Sequence, residues 1–251
     1  QYDESLLTDR EKVVLEKLYR ASKIIDELFL EQVYIENDQI KADLISKTSN
    51  KSILEKEPEL KPQLELFTIM FGPFDRLEDN EPFIGKNTKP LGANFYPVDM
   101  SKEEFEKWLK ENPADEKAFT SEFTIIRRDN GKLVAIPYSE YFKDKLTAAS
   151  NLLKEAAEFS DNPSLKKYLL SRADAFLSND YYQSDMDWMD LKDHNIEVVI
   201  GPYEVYEDEM FNYKASFESF VTIKDPVESK KLEVFAKYLT DIEKNLPLDE
   251  K

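Results

Sequence analysis

Hydrophobic residues recur at helical spacing near the start of the chain, and this pattern constrains the fold most. Between residues 5 and 34 an apolar side chain returns every three or four positions, at Val14, Leu15, Leu18, Ala21, Ile25, Leu28 and Phe29. Thr8 and Glu11 precede this run at the spacing of a capping box, in which each side chain bonds the other residue's backbone N–H. The pattern therefore predicts one long amphipathic helix with its apolar face on a core.

Helical patterns then alternate with segments rich in turn residues. A weaker amphipathic pattern covers residues 35–50, and prolines recur from Pro58 to Pro97, a stretch that also holds three of the five glycines. Such a density of helix breakers predicts loops, with one short helix near residues 63–70. Capping residues and apolar spacing predict four further helices, over residues 101–110, 139–160, 162–180 and 225–245. In the first of these, Ser101 and Glu104 repeat the capping-box spacing.

Four segments have the composition of β-strands. Two β-rich runs flank Asn130 and Gly131, the residue pair typical of a two-residue hairpin turn. The segments "IEVVIG" and "FESFVTIK" predict two more strands. The expected fold class is α+β, predominantly α-helical with a small antiparallel β-sheet. We expect a helical region with proline-rich loops over residues 1–94 and an α+β lobe over residues 95–251.

Charge and composition exclude several classes of function. The chain has 52 acidic and 34 basic residues, a net charge of −18 at pH 7, which opposes binding to nucleic acids and to anionic membrane surfaces. No window approaches a membrane span. Cysteine is absent and His194 is the only histidine, so the chain cannot form a Cys-based or His-based zinc site by itself. We expect His194 to cap a turn before a strand.

Two charged stretches favour structural roles over binding. The segment "NDYYQSDMDWMDL" carries four aspartates but lacks the mid-loop glycine and final glutamate of an EF-hand, so its aromatic side is expected to pack inward. Arg127 and Arg128 end a predicted strand, and in an acidic protein they are expected to form salt bridges, with anion binding as the alternative.

The segment "IGPYEVYEDEMFNYKASFESF", residues 200–220, mixes aromatic rings with carboxylates. If Glu204 and Tyr206 continue the strand that ends near Gly201, they are two residues apart and share one face. Glu218 leads into the next strand, so all three side chains can converge. We expect Glu207, Asp208 and Glu209 to lie in a solvated connection between the two strands.

Two carboxylates and a phenol, walled by Phe217 and Phe220, would suit an ammonium group. An amine has three donors, and charge-assisted hydrogen bonds strengthen when partly shielded from water. Two neighbouring carboxylates also resist joint ionisation unless a cation arrives. The alternative interpretation is a purely structural acidic domain in which Glu204 and Glu218 are merely solvated.

At these residues the sequence resembles the dipeptidyl peptidase III family of zinc metallopeptidases. The segments "GPYEVY" and "SFESFV" are similar to two family motifs, and the resemblance extends over about residues 95–247. It is strongest to the shorter bacterial branch, through "FYPVDMSKEEFEKWL", "AFTSEFTIIRR", "AIPYSEYF" and "DNPSLKKYLLSRADAFLSNDYYQSDMDWMDL". The resemblance implies that Glu204 and Glu218 bind the N-terminal ammonium of a peptide substrate and that Tyr206 orients its backbone.

The chain departs from the family at two places. The family's catalytic zinc is held by an H-E-x-x-H or H-E-x-x-x-H helix with a further Glu, and neither motif occurs here. The family's Arg-Asp-Pro is replaced by Glu207, Asp208 and Glu209, and the spacing to Glu218 is one residue longer, which questions strict dipeptide release. The resemblance therefore implies an N-terminal, substrate-binding lobe, inactive alone and without bound metal, whose zinc lies in a downstream catalytic lobe.

Two other functions remain open at this point. The chain could be a non-catalytic amine- or peptide-binding module derived from the same family. A nudix-type hydrolase is disfavoured, because no glycine precedes a dense Arg-Glu-x-x-Glu-Glu helix. The sequence begins at Gln1 without methionine or a visible signal peptide, so we expect a processed or excised chain. The compartment stays open between the cytoplasm and the bacterial cell envelope.

Overall fold

The first long helix forms as predicted but begins later. The computed structural model describes residues 3–247, in which α1 covers Asp9–Val33. The capping box is confirmed: the Thr8 hydroxyl accepts a bond from the Glu11 amide at 3.2 Å, and the Glu11 carboxylate accepts one from the Thr8 amide at 2.8 Å. Before the cap the chain makes only one 3-10 turn, Glu4–Leu6.

The described residues contain the predicted helices and strands in the expected order, together with short elements that the sequence did not predict. After α1 the helices are α2 (Asn37–Ser49), α3 (Lys51–Leu54), α4 (Leu60–Met70), α5 (Lys102–Glu111), α6 (Glu116–Phe119), α7 (Tyr138–Tyr141), α8 (Lys143–Phe159), α9 (Pro163–Ser178), α10 (Tyr182–Met189), α11 (Pro226–Ala236) and α12 (Leu239–Lys244). The strands are β1 (Phe74–Asp75), β2 (Glu81–Pro82), β3 (Thr124–Asp129), β4 (Lys132–Pro137), β5 (Ile196–Glu204) and β6 (Ser216–Ile223). The predicted α+β class, mainly helical, is confirmed.

In the described residues the strands form three separate antiparallel pairs, β1–β2, β3–β4 and β5–β6. The β3–β4 turn is the predicted Asn130–Gly131 pair, with φ of 49° and 79°, a conformation that glycine and asparagine tolerate best. In the β5–β6 pair Gly201 lies opposite Glu218. A bulge follows between Pro202 and Glu204, so the end of β5 turns away from regular pairing.

The main core lies where α1 packs against α8 and against β6, with α9 behind α8. Phe217 of β6 is fully buried there, with its ring centroid 5.5 Å from that of Tyr138 and 6.0 Å from that of Phe142. Because successive side chains of a strand alternate between its faces, a buried Phe217 turns Glu218 to the opposite face. The division of the chain at residue 95 stays a prediction.

Two predicted interactions of charged residues are only partly correct. The Ser101 hydroxyl accepts a bond from the Glu104 amide at 3.2 Å, but the Glu104 carboxylate accepts two bonds from Arg128 instead of completing a capping box. Arg128 is therefore salt-bridged as expected, also to Asp99 at 3.2 Å. Arg127 instead donates to the Asn94 carbonyl at 2.9 Å and lies 4.8 Å from the centre of the Tyr141 ring.

The prediction that the aromatic side of the segment around α10 packs inward is only partly correct. Tyr181 is buried, with its ring centroid 4.8 Å from that of Phe123, but it precedes the helix, and α10 does not follow the prediction. Its buried side chains are Ser184 and Asp187, whereas Tyr182, Met186 and Met189 are exposed. Asp187 is buried because it accepts hydrogen bonds from Gln183 at 2.9 Å and pairs with Lys167 at 2.8 Å. These partners satisfy the buried carboxylate of Asp187, so the inward face of α10 is polar. Hydrophobic spacing had placed the aromatic residues on that face.

The last predicted helix is interrupted. Asp225 caps it as expected, accepting bonds from the amides of Val227 and Glu228, and proline follows at the first helical position. The helix then ends at Ala236, and α12 starts at Leu239. Nearly all side chains of α11 and α12 are exposed. None of the described helices has the length and hydrophobicity needed to cross a membrane.

The cap of α1 provides a test of the fold. We expect Thr8→Ala to lower the free energy of unfolding by about 1 kcal/mol, because it removes the side-chain acceptor for a helix-end amide. Thr68→Ala is the matched control, since that exposed hydroxyl only bonds back to the Leu64 carbonyl within α4. Urea unfolding followed by circular dichroism measures both. Equal losses in the two variants would contradict the role of the cap.

Candidate functional site

A cavity of about 490 Å³ lies between α1 and the adjoining ends of β5 and β6. Glu204, Tyr206 and Glu218 all line it. The structure thus brings the three predicted site residues to one place, although their role in substrate binding stays a prediction. The other lining residues come mainly from α1, from the segment after α4 and from β6, and include Ile25, Asp26, Phe29, Phe71, Arg76, Glu207, Ser219 and Phe220.

Glu204 and Glu218 reach the cavity from paired strands. Glu204 is the exposed last residue of β5, and Glu218 is half-buried near the start of β6. Burial raises the pKa of Glu218, and the nearby charge of Glu204 raises it further. Arg76 is the only basic side chain among the described residues that line the cavity, and it is paired with Glu207. The two glutamates therefore line one cavity whose described wall supplies no neutralising cation for them.

Tyr206 reaches the cavity by a different route from the one predicted. The strand ends at Glu204, so Tyr206 lies in the following turn rather than on an extension of β5. Its side chain is 76% exposed, and within the described residues nothing holds its hydroxyl. The assumption of a continued strand was wrong for Tyr206, because the pairing ends with Glu204 opposite Ser216, just beyond the bulge. The phenol therefore lies exposed at the cavity.

Aromatic rings shield the cavity from several sides. Phe217 lies beneath it in the core, and Phe220 is 58% exposed at its edge. Phe29 and Phe71 add a second aromatic wall, with an edge-to-face contact at 5.0 Å between ring centroids. Neither this wall nor Asp26 was predicted from the sequence, because these residues precede the carboxylate segment by more than a hundred positions. Phe29 had been assigned to the helix face that packs in the core.

The segment assigned to a solvated connection is in fact buried in part. Asp208 is completely buried, although it was expected to face solvent. Its carboxylate accepts a hydrogen bond from the Tyr96 hydroxyl at 2.7 Å and from four backbone amides. Those amides belong to Met210, Phe211, Tyr213 and Lys214, at 2.9–3.2 Å. One carboxylate therefore satisfies a whole turn of backbone that would otherwise lose its hydrogen bonds to water.

Glu207 is also buried, because two cations neutralise it. Arg76 bonds one carboxylate oxygen, and the Lys89 ammonium lies 3.2 Å from the other. Arg76 in turn donates to the Met70 carbonyl at 2.7 Å and lies 5.3 Å from the centre of the Phe29 ring. Of the three acidic residues only Glu209 is exposed as expected. These ion pairs attach the β5–β6 connection to the segment that follows α4.

Lys214 completes the attachment from the other end of the connection. Its ammonium is buried and donates to the carbonyls of Phe119 at 2.6 Å and Ser121 at 2.8 Å, and to the Thr124 hydroxyl at 2.8 Å. Burial lowers the pKa of Lys214 to about 7, and the charge of Asp208 opposes this shift. Three acceptors for three donors satisfy the ammonium, so the residue is structural rather than reactive.

The described residues do not fit a zinc ion. Within residues 3–247 no group of three or more His, Cys, Asp or Glu is arranged to hold a metal. The single histidine, His194, bonds Glu197 at 2.5 Å at the start of β5. No catalytic step through a metal can be assigned to the side chains of residues 3–247.

Comparison with known proteins identifies the family. The model of peptidase family M49 matches residues 86–251, and the chain belongs to this family. It is similar to the solved structure of DPP III from Caldithrix abyssi, with 63% identity and a TM-score of 0.90, covering 98% of this chain and 45% of that one. It is also similar to dipeptidyl-peptidase III from Corallococcus sp. strain EGB, with 42% identity, a TM-score of 0.87 and coverage of 99% and 45%.

A curated relative carries a different name. Nudix hydrolase 3 from Arabidopsis thaliana is 37% identical over 293 residues, which cover 97% of this chain and 37% of that protein. The chain thus spans less than half the length of each of these relatives. Because so little of the plant protein is covered, its name is not carried over to this chain. The resemblance to the dipeptidyl peptidase III family is confirmed.

The Asp208 carboxylate gives the first test of the site. We expect Asp208→Ala to lower the free energy of unfolding by about 3 kcal/mol, because the buried amides lose their common acceptor. Glu209→Ala, one residue away and exposed, should change it by less than about 0.5 kcal/mol. Chemical denaturation of both variants measures the difference. A solvated connection would give similar small effects in both.

Glu218 gives a second test, with a defined dependence on pH. Because the folded state raises the pKa of this acid, Glu218 favours folding below its ordinary pKa, and this contribution is lost as pH rises through the raised value. Glu218→Gln should therefore stabilise the protein at pH 7, by about 0.5 kcal/mol for a charge that is only half-buried. The gain should vanish near pH 4. Unfolding curves at both values check this, and a loss at pH 7 would contradict the repulsion between Glu218 and Glu204.

Proposed function

We propose that this chain is the substrate-binding lobe of a longer zinc peptidase of the dipeptidyl peptidase III type. It would recognise the N-terminus of a peptide. The observation that carries this proposal is the pair Glu204 and Glu218, which share a cavity with no neutralising basic side chain among its described lining residues. A site that keeps two like charges close together is built for a cation. Membership of peptidase family M49 makes a peptide ammonium the suitable ligand.

The cavity offers an ammonium what it needs. Its three N–H donors can bond both carboxylates and leave one donor for water or for Tyr206. The rings of Phe29, Phe71 and Phe220 reduce the exposure of these bonds to water, which strengthens charge-assisted hydrogen bonds. Tyr206, exposed in the turn after β5, would orient the first backbone groups of the peptide.

Hydrolysis would be the work of residues outside these 251 positions. The sequence has one histidine and no H-E-x-x-H motif, and the names of the similar solved structures support a dipeptidyl peptidase for the longer protein. Zinc, when bound by such a motif, would supply the activated water that attacks the peptide bond. The part played by this chain is to hold the peptide by its amino end. By itself the chain would bind peptides and leave them intact.

A non-catalytic peptide-binding module is the second candidate, favoured by the absence of any zinc motif in the sequence. It uses the same carboxylates, so peptide binding by this chain does not separate the two functions. The longer protein does: zinc content and release of a fluorogenic dipeptide support the peptidase. A longer protein without metal and without dipeptide release supports the module.

Binding of peptides that differ only at the N-terminus tests the site. Calorimetric titration of the chain at pH 7 should give at least tenfold tighter binding for a free N-terminus than for its acetylated form, the size of a lost charge-assisted bond. Glu204→Gln should reduce this preference. Glu209→Gln, which removes the same charge from an exposed neighbour outside the cavity lining, should leave it unchanged. Equal affinity for the free and acetylated peptides would refute ammonium recognition.

A further inference from the structure

Arg172 of α9 lies fully buried beneath the end of β5. Its guanidinium bonds Asp185 of α10, and its carbon Cζ lies 5.3–5.6 Å from the centres of three tyrosine rings. Those rings belong to Tyr168, Tyr181 and Tyr203. Stacking of this kind suits a planar, weakly hydrated cation and could not be reproduced by lysine.

The strand touches this guanidinium at a glycine. A Cβ atom built on Gly201 would lie 2.7 Å from Nη1 of Arg172. This is closer than non-bonded carbon and nitrogen atoms approach, so the strand or the guanidinium would have to move. Gly201 also has φ of 151°, a conformation that other residues rarely adopt. The backbone of β5 thus rests on Arg172 at Gly201, and the Tyr203 ring covers the guanidinium two residues further on.

This contact lies next to the site carboxylates. Gly201 is the residue opposite Glu218 in the β5–β6 register, and Glu204 follows three residues later, beyond the bulge. A displacement of β5 at Gly201 would therefore change the distance between the two glutamates. The separation of two like charges is the property on which an ammonium site depends.

The energetics of Arg172 point beyond stability. Nε and Nη1 are buried and find no hydrogen-bond partner among the described residues, so the guanidinium keeps part of its desolvation cost. Its carboxylate partner Asp185 keeps 46% of its side chain exposed, so this ion pair offsets only part of the desolvation cost. We therefore expect the Arg172 side chain to fix the position of its neighbours rather than to add stability.

We propose that Arg172 is a positioning residue for the candidate site, fixing the end of β5 so that Glu204 faces Glu218 across the cavity. The ligand that the two carboxylates hold rests on the proposed function above. The geometry that Arg172 sets does not, because it concerns only the relative positions of two side chains of this chain.

The pKa of Glu218, measured by NMR titration, reports that geometry without any ligand. In Arg172→Met, loss of a positive charge alone would raise the pKa of Glu218, whereas movement of Glu204 away from Glu218 would lower it. We expect the pKa to fall toward the ordinary glutamate value in Arg172→Met, in the charge-conserving Arg172→Lys and in Gly201→Ala. The preference for a free over an acetylated peptide should fall about tenfold in the same variants.

Arg127→Lys is the matched control. Arg127 is also stacked on a tyrosine, Tyr141, and bonded to the backbone, but it belongs to β3 and does not touch β5. Its replacement should lower the unfolding temperature and leave the pKa of Glu218 and the peptide preference unchanged. Gly201→Ala, which presses on Nη1 from the strand side, decides the matter if both Arg172 variants fail to fold.

An unchanged or raised pKa of Glu218 in folded Arg172→Met and Arg172→Lys would overturn the proposal. So would an equal fall in Arg127→Lys, since any loss of packing would then suffice. If the parent chain shows no preference for a free N-terminus while the pKa still responds to Arg172, the positioning role stands and ammonium recognition fails. The two proposals are thus decided by separate measurements.

Discussion

The buried carboxylate of Asp208 organises the turn from which the rest of the site is built. Four backbone amides and the Tyr96 hydroxyl converge on it, so the connection between β5 and β6 can leave water without losing its hydrogen bonds. At the end of this turn, Lys214 donates hydrogen bonds to carbonyls in the loop before β3. At the start of the turn, Glu207 forms an ion pair with Arg76. Asp208 and Glu207, whose residue types usually lie on the surface, therefore hold the connection between β5 and β6 in place.

This fixed connection makes the repulsion between Glu204 and Glu218 possible. Two glutamates on flexible loops would move apart and lose their interaction in water. Here the strand pairing fixes Glu218 opposite Gly201, and the bulge directs Glu204 toward the same cavity. Phe217 of β6 is buried in the core beneath the cavity, and Arg172 contacts β5 at Gly201. Under the proposed function, a bound cation would relieve this unfavourable electrostatic energy.

Local signals in the sequence were sufficient to predict helices, caps and turns, but not the long-range contacts of individual side chains. The Thr8 cap, the Asn130–Gly131 turn and the Asp225 cap were predicted because each depends on residues close in sequence. The burial of Asp208 was not, since four amides of its own turn converge on the carboxylate only in the folded turn, and its fifth donor, Tyr96, lies more than a hundred positions away. The inward face of α10 was also assigned to the wrong residues. Lys167 and Gln183 bond Asp187, so this carboxylate can be buried there in place of an aromatic side chain. Glu204, Tyr206 and Glu218 could be named from motif resemblance, whereas Arg76, Phe71 and Arg172 needed the fold.

The raised pKa of Glu218 has a consequence for the thermodynamics of ligand capture. A cation between the two carboxylates would favour their charged forms and so lower that pKa. Near the raised value the free site carries a fraction of a proton, and an arriving ammonium would expel it to the solvent. The observed heat of binding would then vary with the ionisation enthalpy of the buffer. The cavity would act as a small exchanger, in which one positive charge enters as another leaves.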